Sequence, residues 1–180
     1  AEGFRYDPDA AAGRIERGIL TAARYRRGFR AASAALERAE QEAAQREGRA
    51  PKRITAEEVE AAEPALATFR AQAEADLNAG VERIGGGDPP SVKLARAELA
   101  AARRDIAEAE TILGGLEWAE AKILRGAIAE ARDYLEEAEA WYGKAIATRE
   151  GAWEAWEARA SVRQRMAERA WDPGTEKGES

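Results

Sequence analysis

Apolar and small positions recur along this chain with helical spacing almost from end to end. Ile15, Ala22, Phe29, Leu36 and Ala43 fall at seven-residue intervals and lay a narrow stripe along one helix face. Asp7-Pro8-Asp9 reads as the start of that helix, with Asp as N-cap, Pro at the first helical position and a second acid against the dipole. Gly48 and Pro51 end it near Glu47. Thr55 opens a second helix as its cap, with Glu58 at the capping-box position. Pro64 lies deep enough to kink that helix or split off its first turns. Val81 and Ile84 then lead into Gly85-Gly86-Gly87-Asp88-Pro89-Pro90, the sharpest break in the chain. No proline follows between Ser91 and Asp172. Ser91 is placed to cap a third helix reaching about Leu113, and Gly114-Gly115 marks a turn. Helix is expected from there to about Ala170, where Trp171-Asp172-Pro173-Gly174 stops it.

The pattern predicts an all-α fold. Its form is an elongated antiparallel helical bundle, or a helical-hairpin array, with long Ala-rich helices. The expected organisation is an N-terminal helical pair over 1–84, a Gly/Pro break at 85–90, a C-terminal helical unit over 91–171 and a polar tail over 172–180.

Composition thins the expected core. Alanine supplies 45 of the 180 residues, whereas Leu, Ile, Val and Phe together supply 26. Alanine offers roughly a third of the buried area of leucine but lets helices approach closely. A core so poor in large side chains implies an elongated shape or one completed by partners. Charge is unevenly spread: 12 basic and 8 acidic residues over 1–54, then 2 and 8 over 55–90, then 14 and 18 over 91–180. No stretch approaches the roughly 18 uninterrupted apolar residues of a membrane helix. A soluble protein of the cytoplasm, a virion or an organelle interior is expected, with an initiator Met or leader already removed ahead of Ala1.

The chemistry-bearing residues are few. Histidine and cysteine are both absent, which removes the commonest general base, the thiol nucleophile and the soft metal ligands. The serines, Ser33, Ser91, Ser161 and Ser180, have no histidine base available. Gly85-Gly86-Gly87 is a hinge rather than a phosphate loop, because no strand precedes it and no Gly-Lys-Ser/Thr follows. Glu136, Glu137 and Glu139 could in principle hold a hard cation, but read as solvated helix surface. No enzyme activity, cofactor or metal is expected.

Two clusters stand out as interaction candidates. Arg24, Arg26, Arg27 and Arg30 span an arc of about 160° on one helix. Tyr25 and Phe29 fall on the neighbouring apolar side. Such a face meets an acidic surface, within the chain or on a partner, or is simply solvated; the acidity of the whole chain argues against nucleic acid. The second cluster is Trp153, Trp156 and Trp171, three of five tryptophans that also include Trp118 and Trp141. They either pack within the chain or form the hot spot of an interface.

Within 121–158, Gly126, Ala138, Tyr142 and Ala145 are spaced as the small, small, aromatic and small positions of a helical hairpin. On those residues the segment resembles a tetratricopeptide unit, over about residues 121–171. The resemblance implies a turn at Arg132-Asp133-Tyr134, and a next repeat opening at Trp156 and Ala160, 34 residues after Lys122 and Gly126. Arg125 stands where that family has Leu, and Glu150 where it has a closing Pro. No upstream repeat keeps the 34-residue register, although Asp105-Ile106 echoes Asp133-Tyr134 at a period of 28. The residues themselves equally allow one continuous helix through Arg132 and Gly151.

The expected function is therefore a non-enzymatic structural or adaptor subunit making protein–protein contacts in a larger assembly, such as a virion, a secretion machine or an organellar complex. Its partners would be other protein subunits, acidic surfaces among them, or further copies of itself. The alternative is a tetratricopeptide-like module that binds peptides or proteins.

Overall fold

The computed structural model describes residues 10–171. Helix makes up 81% of them and no strand occurs among them, so the fold is all-α. The helices are α1 (Ala11–Glu47), α2 (Ala56–Ala62), α3 (Pro64–Ile84), α4 (Pro90–Ala102), α5 (Ile106–Leu113), α6 (Ala119–Ala131), α7 (Leu135–Thr148) and α8 (Trp153–Ala170). The chain divides into two compact units at Gly114–Gly115.

In the first unit, α1 packs along α3, and α2 and α4 also pack against α1. The approach of α1 to α3 depends on Gly18 and Gly80. A Cβ at Gly18 would lie 2.8 Å from Leu77 Cγ, and one at Gly80 would lie 2.6 Å from Ile15 Cγ1 and 3.1 Å from the Ala11 carbonyl. Around this seam lies the core of Tyr25, Phe29, Val59, Leu66, Leu77, Val92 and Leu99. In the second unit, α6 and α7 form a hairpin on which α8 packs. Leu135, Ala138, Tyr142 and Val162 fill it, and Ala145, Ala152 and Ala155 close its other end.

Each unit buries a tyrosine whose hydroxyl reaches a carboxylate shared by three helices. Tyr25 of α1 donates to Glu60 of α2 at 2.8 Å, and Arg70 of α3 donates to both oxygens of Glu60. Tyr142 of α7 donates to Glu130 of α6 at 3.0 Å, and Arg165 of α8 donates to the other oxygen of Glu130 at 2.9 Å. These bonds satisfy the phenol tips that burial would otherwise strand.

The local signals are met unevenly. The Thr55–Glu58 capping box is present in both directions, and Pro64 begins α3. The Asp7 cap lies outside the described residues, as does the tail over 172–180; within them Ala10 stands as N-cap of α1. Ser91 does not cap a helix. Pro90 takes the first helical position, where its missing N–H and fixed φ cost nothing, so Ser91 falls inside the first turn. The 85–90 break is a turn within the first unit: Gly85 ends α3 in the left-handed conformation and α4 returns onto α1. The division falls at Gly114–Gly115, so residues 91–114 group with the N-terminal helices.

The span from Ser91 to Leu113 is two helices, and so is the span through Arg132. Arg104 (φ 64°) and Asp133 (φ 67°) are the non-glycine left-handed residues among those described. After each, an amide bonds back five residues, Asp105 to the Ala100 carbonyl at 3.0 Å and Tyr134 to the Ala129 carbonyl at 2.9 Å. Aligning the two turns relates 90–114 to 119–143 at a spacing of 29. Nine of those 25 positions are then identical, among them Lys93/Lys122, Arg96/Arg125, Arg103/Arg132 and Glu108/Glu137. Burial matches as well, with Val92, Ala95, Leu99, Ala100, Ala109 and Leu113 buried like Ala121, Leu124, Ile128, Ala129, Ala138 and Tyr142. The two turns thus belong to a duplicated hairpin in register 29, one residue off the period of 28 that the Asp105/Asp133 echo gives.

Gly80→Val should lower unfolding stability by on the order of 2 kcal/mol, because the new side chain meets the α1 backbone as well as Ile15. Urea denaturation followed by circular dichroism measures this. A loss below about 0.5 kcal/mol, the size of an ordinary surface change, would show that α1 and α3 part without cost.

Candidate functional site

The arginine cluster does not act as one surface. Arg26 turns inward and pairs with Glu98 of α4. Arg24, Arg27 and Arg30 are exposed and make no ion pair among the described residues. The split follows from the helix face: Arg26 is the arginine of the four nearest the buried face of Phe29 and Tyr25, which puts its guanidinium beside α4 and leaves the others to solvent.

No tryptophan is buried. Trp153, Trp156 and Trp171 are 68%, 52% and 83% exposed, and Trp118 is also exposed. Trp141 is half-buried between cations: the Arg125 guanidinium lies 5.0 Å from its ring centre and the Lys144 ammonium 3.9 Å. Its indole N–H donates to Glu137 at 3.3 Å. The inner face of α8 is Ala155 and Val162, with Ala158 and Met166 partly buried. Its outer face carries Trp153, Trp156, Ala160, Ala167 and Trp171, all exposed. Of these, only Trp156 has a hydrogen bond from its ring among the described residues, to the Glu150 carbonyl at 3.4 Å.

The titratable groups inside the helices are engaged in holding them together. Asp76 of α3 is buried and accepts both arms of Arg17 of α1, at 2.6 and 2.7 Å. That pairing holds the Asp76 carboxyl below its ordinary range, and Arg70 does the same for Glu60. Burial, and then the bond to Glu60, push the Tyr25 phenol above its ordinary value. A phenol so raised stays protonated at neutral pH and is no general base. Arg159 and Arg163 converge on Glu139 and lower its pKa. No group of metal-ligating side chains occurs among the described residues, and no described helix is long and apolar enough to cross a membrane.

The clefts of the first unit include the following two. One, of about 490 Å³, is apolar and lined by Ile15, Ile19, Leu20 and Ile84. The other, about 240 Å³, is polar and lies among α3, α4 and α5, with Asn78, Arg96, Arg103, Glu108 and Ile112 on its walls. The Arg103 guanidinium makes no hydrogen bond or ion pair among the described residues, and neither does the Glu108 carboxylate. The sequence reading missed this cleft. The signal for it is the 29-residue spacing of the two hairpins, which the 34-residue tetratricopeptide register does not show.

Stability should be flat from about pH 5 to 8, because the chain has no histidine to titrate there. Asp76, Glu60 and Glu139 have folded pKa values below their unfolded ones. The stability they contribute is therefore present above about pH 4 and is lost as pH falls through the folded values. Urea midpoints across pH 2–8 should show this fall, and Asp76→Asn should flatten part of it. An Asp76→Asn profile that parallels the wild type throughout would contradict this assignment.

No family model matches this chain, and no curated protein or solved structure matches it either.

Proposed function

We propose that this chain is a non-enzymatic structural or adaptor subunit that enters a larger assembly through protein–protein contacts, with the outer face of α8 as its docking surface. The observation that carries this reading is the exposure of Trp153, Trp156 and Trp171. At roughly 150–250 Å² per side chain, their exposed parts amount to about 300–500 Å² of aromatic surface. Trp153 and Trp156 lie one turn apart, and Trp171 lies about 22 Å further along the same face. Tryptophan is also the residue most enriched in interface hot spots. The catalytic alternative lacks support, since the buried carboxylates are bound to arginines, the buried tyrosines donate to two of those carboxylates, and no nucleophile–base pair converges on either cleft among the described residues.

The duplicated hairpin favours a second reading, a helical-repeat module that binds peptides or proteins, although its register of 29 is not the 34 of the tetratricopeptide resemblance. Both readings place the activity in a surface rather than in a reaction.

Gradient sedimentation of an extract from the natural source should recover the chain in particles heavier than its 19.5 kDa. The double variant Trp156→Ala, Trp171→Ala should release it as a monomer with unchanged helicity. A wild-type chain that sediments as a monomer in that extract would refute the subunit reading.

A further inference from the structure

The two copies of the hairpin differ at one informative position. In the second copy, Trp141 of α7 lies over Arg125 of α6 and donates its indole N–H to Glu137, four residues earlier. In the first copy the corresponding residues are Ile112, Arg96 and Glu108. The arginine and the glutamate are retained; the indole is not. The 240 Å³ polar cleft sits there, walled by Arg96, Glu108 and Ile112. Both arginines also reach back to the loop before their own helix, Arg96 to Asp88 and Arg125 to the Leu116 carbonyl. The cleft is smaller than the roughly 300–1,000 Å³ of small-molecule sites, and suits one side chain.

We infer that this cleft receives a tryptophan from a second copy of the chain, and that the residue is Trp153 at the start of α8. The inference rests on the docking role proposed for α8 and names its partner surface. Trp153 is 68% exposed and its indole N–H has no partner among the described residues, whereas that of Trp156 is bonded to Glu150. Its indole would stack on Arg96 and donate to Glu108, as Trp141 does with Arg125 and Glu137. Charge is complementary beside it. Glu157 stands one turn beyond Trp153 on the same face and has no ion pair among the described residues. Arg103, which lines the cleft, makes no ion pair among the described residues and lies in the field of Glu60, is its counterpart. Cleft and tryptophan lie on different units, so the contact is head-to-tail and can extend from copy to copy.

Sedimentation equilibrium of the purified full chain tests this. The wild type should gain mass with concentration. Trp153→Ala and Ile112→Trp, the latter filling the cleft with the indole of the sister hairpin, should each weaken association at least tenfold at unchanged helicity. An equimolar mixture of these two variants should recover a 1:1 pair, since one supplies the cleft and the other the tryptophan. The surface change Glu157→Arg should weaken association, and Arg103→Glu in the same chain should restore it. A wild type that stays monomeric to millimolar concentration, an Ile112→Trp protein that associates like the wild type, or a mixture that fails to pair would each overturn the inference. A monomeric pure chain found in heavy native particles would remove self-docking while leaving the subunit reading intact.

Discussion

A single carboxylate in each unit carries bonds from two other helices, and the packing is arranged around it. Glu60 takes the Tyr25 hydroxyl from α1 and the Arg70 fork from α3. Glu130 takes the Tyr142 hydroxyl from α7 and Arg165 from α8. With alanine the most abundant residue, the helices have little large apolar surface to fix their relative rotation. Charge-assisted hydrogen bonds are directional and contribute about 1.5–3 kcal/mol where partly buried. They supply the registry that an alanine seam lacks. Arg17 with Asp76, and Arg159 and Arg163 with Glu139, repeat the device between neighbouring helices.

The same scarcity explains where the aromatics lie. Helices that approach through Gly18, Gly80 and alanine leave no interior volume for an indole. Two tyrosines, whose polar tips the carboxylates satisfy, are the largest fully buried side chains. The tryptophans are displaced outward, and three of them lie on the face of α8 turned away from its own core. Thin packing and exposed aromatics are thus one property of the fold, and the exposed side is the surface left for partners.

Features governed by a few adjacent residues were legible in the sequence. The Thr55–Glu58 box, the start at Pro64 and the stop at Gly48 are local backbone chemistry. The turn at Arg104 was harder to see, because it is not a glycine and no proline marks it, whereas the turn at Asp133 was implied by the hairpin resemblance of 121–171. Arg104 is held there in part by Glu37 and Ser33 of α1, a contact far away in sequence. The unit boundary failed for the same reason: the Gly85–Pro90 composition marks a turn, but only the return of α4 onto α1 decides which unit follows it. For the candidate sites, sequence named the exposed tryptophans but not their exposure, and grouped four arginines of which only Arg26 meets an acidic neighbour. The Arg96–Arg103–Glu108 cleft was invisible without the exact register of the duplication.

The most direct test of this account compares Glu60→Ala with Glu57→Ala, two changes on the same short helix, by urea unfolding of the full chain. Glu60→Ala strands the Tyr25 hydroxyl and removes the two-pronged partner of Arg70, which keeps only its longer pairing with Glu74, and should cost on the order of 2–3 kcal/mol. Glu57→Ala touches neither and should stay within about 0.5 kcal/mol. Equal, small losses in both would contradict the claim that the shared carboxylate fixes the helices of its unit.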